Sequence, residues 1–230
     1  MLVLPCITTA RADEEAEVVI TTEKAYENIG IAIPDFVREN EFVDHEQRDV
    51  KMADILADDL AFSGYFKTQR VHEIKGDVKG WASLGVSYVV QGGYSTDGRE
   101  IQVSCRIVDT SIGRVIWSGS YPDALRVMRQ KVHEMADDII FRVAGEKGVC
   151  RTKIAFCSDM TGHDELYYSD YDGHNAYRLT RDEGTCLLPG WSPSGNYITY
   201  TSYKRANPDL WWVSRTGKSR GILSFHDGLN

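Results

Sequence analysis

A chain of 230 residues with 42% hydrophobic and 26% charged residues has globular composition and enough apolar mass for a real core. No stretch reaches the roughly 18 apolar residues of a membrane-spanning helix, and a disordered chain would have no use for its 12 Tyr, 7 Phe and 5 Trp. A formal net charge of −8 argues against broad nucleic-acid binding.

Residues 1–12 are apolar and close on Ala10-Arg11-Ala12, just before the acidic run Asp13-Glu14-Glu15. Small residues at the −3 and −1 positions suit signal peptidase, so this stretch reads as the tail of an export signal without its basic start. Pro5 stands where a lipoprotein anchor at Cys6 would need a small residue. The plain alternative is a loose apolar terminus or a buried first strand. Residues 13–152 carry 17 basic and 25 acidic side chains, whereas residues 153–230 are close to neutral with 8 and 9. Most of that acid is expected to be solvated surface.

Ile29-Gly30-Ile31-Ala32-Ile33-Pro34 predicts a buried strand ended by proline. Met52, Ile55, Leu56 and Leu60 recur at helical spacing, which leaves Asp58 and Asp59 to face solvent and Gly64 to close the helix. Val86–Tyr94 and Ile101–Val108 read as strands turned by Asp97-Gly98, with Gly92-Gly93 at the end of the first. Arg114–Tyr121 is the next strand. A long helix follows, with Leu125, Met128, Val132, Met135, Ile139 and Val143 on one face. Gly145 and Gly148 break it. The expectation is an α/β domain, a mixed sheet with two main helices, over residues 13–152.

Beyond Lys153 the chain repeats itself at an offset of 44 residues. Ile154 falls on Ile198, Phe156 on Tyr200, Ser158 on Ser202, Glu165 on Asp209, Leu166 on Leu210, Tyr168 on Trp212, and Gly173 on Gly217. Each unit offers short β-rich runs, with Asp172-Gly173 and Thr216-Gly217 as tight turns. A period near 40–45 with about four strands per unit describes a β-propeller blade. Residues 153–230 hold about 1.8 such blades, whereas a closed ring takes roughly four to eight. The reading is therefore a partial propeller in a fragment, with open strand edges and inner-face aromatics such as Trp211 or Trp212 exposed.

Four cysteines follow the leading segment: Cys105, Cys150, Cys157 and Cys186. Their spacing fits no zinc pattern. In an oxidising compartment Cys150 and Cys157 are one pairing among three, and free buried thiols are equally consistent.

Catalytic motifs fail one by one. His133-Glu134-Met135-Ala136-Asp137 lacks the second histidine of a zinc-protease helix, so it reads as core or surface helix. Asp170-Tyr171-Asp172-Gly173-His174-Asn175 lacks the acidic twelfth residue of a calcium loop, and its shifted counterpart at 214–219 has no carboxylate, which favours a plain hairpin turn. Gly92-Gly93 opens no helix and is not a phosphate loop. No Gly-x-Ser-x-Gly elbow is present. The chain reads as a non-enzyme with no catalytic residue, metal or cofactor.

Taken in order, Ile31-Ala32-Ile33-Pro34-Asp35-Phe36, Ala53-Asp54-Ile55-Leu56-Ala57-Asp58-Asp59-Leu60, Ser63-Gly64-Tyr65-Phe66, Leu84–Gly92, Arg106-Ile107-Val108-Asp109, Arg151–Phe156, Ser169–Gly173 and Trp191-Ser192-Pro193 resemble the motifs of the TolB family. The family comprises periplasmic components of the Tol–Pal system. The resemblance implies an α/β domain before a six-bladed propeller, localisation in the periplasm, and a role in outer-membrane integrity and envelope constriction during division. It implies two partners, a TolA-like inner-membrane protein and a Pal-like peptidoglycan-associated lipoprotein that docks across several blades. It also implies that the segment after the signal docks on TolA or folds back onto its own protein. Here that segment is Asp13, Glu14, Glu15, Ala16, Glu17, Val18, Val19 and Ile20. Val18, Val19 and Ile20 have the β propensity to add a strand to a partner's sheet, and Asp13, Glu14, Glu15 and Glu17 have the charge to steer encounter with a basic surface. A frayed acidic tail or a first strand of the chain's own sheet is the plain alternative. From a different class, the chain is the propeller region of a prolyl-oligopeptidase-like peptidase without its catalytic domain; an α/β domain ahead of the first blade favours the TolB reading.

Overall fold

The computed structural model describes residues 28–43, 45–73 and 77–228. The export-signal reading of residues 1–12 and the partner-binding reading of Asp13–Ile20 lie outside the described residues.

Strand β1 (Ile29–Pro34) is apolar and buried from its second residue on, because it is paired on both sides. After β2 (Val37–Arg38), helix α1 (Arg48–Phe62) buries Met52, Ile55, Leu56 and Leu60, as the helical spacing requires. Ser63 caps its last turn by donating its hydroxyl to the Leu60 carbonyl (2.6 Å), and Gly64 leaves it with φ +77°. The chain returns as β3 (Phe66–Val71), parallel to β1. Neither β2 nor β3 is foreshadowed in sequence. The Phe-Lys-Thr-Gln-Arg-Val of β3 carries little apolar alternation, and its pairing to β1 supplies the order that its own pattern lacks.

Strands β4 (Tyr88–Thr96), β5 (Glu100–Asp109) and β6 (Arg114–Ala124) form the expected antiparallel meander. The six-stranded sheet runs β3-β1-β4-β5-β6, with β2 alongside the far half of β4. Gly92-Gly93 does not end a strand but lies in the middle of β4. A Cβ on Gly92 would sit 2.4 Å from the Phe36 ring, and one on Gly93 2.2 Å from the Glu39 carboxylate. The pair marks the close crossing of the β1–β2 segment over the sheet.

A single 3₁₀ turn, Leu125–Val127, leads into α2 (Met128–Ala144), which buries Val132, Met135, Ala136, Ile139 and Ile140 beside α1 on one face of the sheet. Gly145 (φ +76°) ends the helix. Among the described residues, no helix is long and apolar enough to cross a membrane.

The remaining strands fall into two separate sheets. The first holds β7 (Lys153–Ser158), β8 (Glu165–Asp170) and β9 (Tyr177–Arg178); the second holds β10 (Cys186–Trp191), β11 (Tyr197–Ser202), β12 (Asp209–Ser214) and β13 (Arg220–Ser224). The 44-residue offset carries β7 onto β11 and β8 onto β12, residue for residue. It breaks at β10, whose counterpart positions are the end of α2 and the residues after it, so the first sheet has three strands and the second four. Neither sheet closes. Trp211 is not exposed, as an open ring had suggested, but buried with Leu166, Ile198, Tyr200 and Val213 between the sheets.

Cysteine pairing is resolved here. Cys157 of β7 is bonded to Cys186 of β10, tying one sheet to the other, while Cys105 and Cys150 are free and buried. The Cys150–Cys157 alternative is thereby excluded. Proximity in sequence was a poor guide because the antiparallel pairing of β7 with β8 holds Cys157 in the first sheet, beside β10.

Candidate functional site

Tyr171 is the structural surprise of the repeat. It occupies the tight turn after β8, where a polar residue is expected, yet it is buried in the core of the α/β region. Its counterpart 44 residues on, Arg215, is exposed. The turns share a backbone: Gly173 and Gly217 both have positive φ, and each amide donates to the carbonyl three residues earlier. Only the side chains differ. In the first unit they reach into the α/β region.

Three elements meet there. The Tyr171 hydroxyl donates to Asp59 Oδ1 on α1, and its ring packs on Phe62 and edge-on to His133, each at 5.3 Å between centroids. His133 Nδ1, on α2, lies 2.7 Å from Asp59 Oδ2. His133 Nε2 lies 3.3 Å from Asp172 Oδ2, and Arg129 Nε donates to that same oxygen at 2.8 Å. Asp59 and His133 are both about 2% exposed, so the expectation that Asp59 faces solvent is wrong. Asp59 stands seven, four and three residues after Met52, Ile55 and Leu56, so helical periodicity places it within the apolar stripe, and α2 and the Tyr171 turn cover it there. His133 is core helix, as read.

The next turn of α2 does similar work. Asp137 Oδ1 accepts the Cys150 amide (2.8 Å) and Oδ2 accepts from Arg151 Nε (2.9 Å), which fixes the chain as it leaves the helix for β7. A Cβ on Gly148 would sit 2.1 Å from Asp137 Oδ1, so only glycine allows the carboxylate this close.

The electrostatics follow from burial and pairing. Burial alone would push the Asp172 carboxyl up, but the His174 amide and the Arg129 guanidinium hold it below the usual carboxylate range. Burial pushes the Tyr171 phenol up, and the adjacent Asp59 carboxylate adds to that. The Cys150 thiol is raised by burial, then by Asp59 and Asp137.

His133, Asp170 and Asp172 bring ligand-type atoms within 4.8 Å of one another. Both carboxylates are already served: Lys153 Nζ and Asn175 Nδ2 hold Asp170, and Arg129 holds Asp172. The trio is an ion-pair network with its cations supplied by the chain. An Asp–His pair also orients catalytic bases, but here Nε2 faces a carboxylate rather than a hydroxyl or thiol nucleophile. The arrangement is built to join, and it joins the α/β region to the first small sheet.

A second feature lies on the sheet face away from the helices. One end of that face is covered by the 3₁₀ helix Val78–Leu84, whose Val78 and Trp81 pack on Ala32, Val86, Val89 and Val108. The other end is an open cleft of about 740 Å³ floored by Gln91, Gly92, Gly93, Ser104 and Arg106. Asp35 at its rim is tied to Arg70 and His72, which hold its carboxyl low against the upward push of burial.

Residues 16–116 match the family model of the TolB amino-terminal domain. The chain is 28% identical over 190 residues to the Tol-Pal system protein TolB of Desulfosudis oleivorans, covering 77% of this chain and 43% of that protein. It is 34% identical over 122 residues to TolB of Geobacter sulfurreducens (53% and 28%), and 29% identical over 240 aligned residues to TolB of Actinobacillus succinogenes (97% and 54%). Among solved structures, TolB from Acinetobacter baumannii superposes with a TM-score of 0.74 at 22% identity, covering 89% of this chain and 51% of that one. The chain spans about half the length of the curated relatives it matches.

Proposed function

We propose that this chain is a TolB-family protein that acts in the periplasm by docking to partner proteins rather than by catalysis. The observation that carries this reading is colinearity: the amino-terminal domain match is followed by similarity to Tol-Pal system proteins through the small sheets. The domain division at 152/153 and the assignment of the two sheets as the opening blades of a propeller belong to the same proposal. The Cys157–Cys186 bond supports export, because structural disulfides persist in oxidising compartments. The matched relatives are Tol-Pal components, so the peptidase alternative is not carried forward.

Two partners are proposed. A TolA-like inner-membrane protein receives Asp13–Ile20, with Val18, Val19 and Ile20 adding a strand to its sheet and Asp13, Glu14, Glu15 and Glu17 speeding encounter. A Pal-like lipoprotein engages surfaces shared among several blades, and through both contacts the protein serves outer-membrane integrity and constriction at division. Deleting residues 13–20 should abolish binding to a TolA domain in a titration while circular dichroism stays that of the folded chain. Reversing the four acidic charges should mainly slow association and weaken its salt dependence. Undiminished TolA binding by the deletion variant would show that the docking segment lies elsewhere.

A further inference from the structure

The junction also contains an unused proton position. A neutral imidazole has one N–H. With Nδ1 at 2.7 Å from the Asp59 carboxylate, that N–H belongs on Nδ1, where it donates to Asp59. Nε2 then carries a lone pair. It is buried, has no hydrogen-bond partner among the described residues, and faces Asp172 Oδ2 at 3.3 Å. Lone pair against carboxylate oxygen is repulsive, and in a buried site the repulsion is poorly screened. A proton on Nε2 reverses the sign of the contact and makes His133 a charged bridge between two carboxylates.

The surrounding charges make that proton matter. Asp59 faces the ring from α1, and Arg129 reaches Asp172 from the same helix as His133. From the turn come the Tyr171 hydroxyl, Asp172, and His174, whose Nδ1 is 3.5 Å from Asp172 Oδ1. Asp170 stands behind them, held by Lys153 of β7 and Asn175, and Asp137 is committed to the Cys150 amide and Arg151. The inner set of Asp59, Asp172 and Arg129 sums to −1 around a neutral ring and to zero around a protonated one.

We propose that His133 is a proton-operated latch: protonated, it clamps the Tyr171-Asp172 turn onto α1 and α2, and neutral, it loosens that turn. Imidazole is the side chain that changes charge between about pH 5 and 8. The neighbouring thiol of Cys150 and phenol of Tyr171 are raised by burial and stay protonated there, and Asp172 stays ionised. The sign follows from linkage: the clamped turn binds the proton more tightly, so clamping is complete at the acid end and is lost as the ring deprotonates with rising pH. Because the turn joins the two regions, any partner that needs the junction loose would bind less well in acid. The inference stands on this geometry and not on the identity of any partner.

The test is amide exchange of residues 170–174 in the full chain near pH 5 and near pH 8, corrected for intrinsic chemistry. The expectation is about five-fold more protection at the acid end. His133→Gln, which cannot ionise, should bring the ratio to about one while α1 and α2 keep their protection, and His174→Asn should leave the wild-type ratio intact. An equal ratio in wild type, an unchanged ratio in H133Q, or a lost ratio in H174N would each overturn the latch. Should H133Q not fold, ¹⁵N spectra of the wild-type ring decide: Nε2 must gain its proton in step with the turn amides, and an Nε2 fixed in one state across the range overturns the proposal.

Discussion

The α/β region and the two small sheets are held together by different means. The first has one large apolar cluster between sheet and helices, drawn from β1, α1, β4, β5 and α2. The second has a modest cluster centred on Leu166, Ile198, Tyr200, Trp211 and Val213, and it adds a disulfide and buried carboxylates. Glu165 shows the second strategy well. It is fully buried, and it accepts from Arg178, Thr180 and the amides of Asp182 and Glu183. In this region polar and covalent ties stand beside a smaller apolar cluster.

Tyr171 crosses from one regime to the other, so removing it should have the largest effect. Tyr171→Ala takes a ring from the α/β core and leaves Asp59 without its phenol donor, for a loss of about 4 kcal/mol in urea unfolding. A loss confined to the small sheets would show that the ring matters only locally. Next is the staple: Cys157→Ser with Cys186→Ser, or reduction, should cost about 3 kcal/mol. Limited proteolysis should then cut residues 153–228 while leaving 29–144. Equal resistance of both regions would mean that the sheets hold without the bond.

Glu165→Gln keeps the shape and removes the charge, for a cost of about 2 kcal/mol near neutral pH. Burial would raise the Glu165 carboxyl, but Thr180, the two amides and Arg178 together hold it below its ordinary value of 4.5. A carboxyl lowered by folding stabilises above its unfolded value, and that stability is lost as pH falls through the folded one. The small sheets should therefore loosen in acid, on the far side of pH 4.5, and E165Q should flatten that limb. An acid limb as steep as wild type in E165Q would assign it to other carboxylates. The smallest effect sharpens the comparison most. Arg215→Ala, at the position equivalent to Tyr171, should change stability by no more than about 0.5 kcal/mol, because the Arg215 side chain is exposed. A larger loss would mean the second turn is anchored as well.

What the sequence determined by itself is what short-range pattern can encode. The strands at 153–158 and 197–202, the helices bearing Met52–Leu60 and Val132–Ile140, and the turns at Gly98, Gly173 and Gly217 arise from alternation, helical spacing and the freedom of glycine. One clue to the junction was there too: Tyr171, a large aromatic in a tight turn where its repeat has Arg215. The rest depended on contacts between residues far apart in the chain. His133 and Asp59 are 74 residues apart, Tyr171 and Asp59 are 112, and the bonded cysteines are 29. No local preference records such pairs. Asp59 is a carboxylate set on the apolar stripe of α1 by its spacing from Met52, Ile55 and Leu56, a signal of burial that the sequence carried, but its partners come from α2 and the β8 turn. Tertiary structure decided that a carboxylate on the apolar stripe became a junction, because a buried charge is tolerated only where other elements bring it partners.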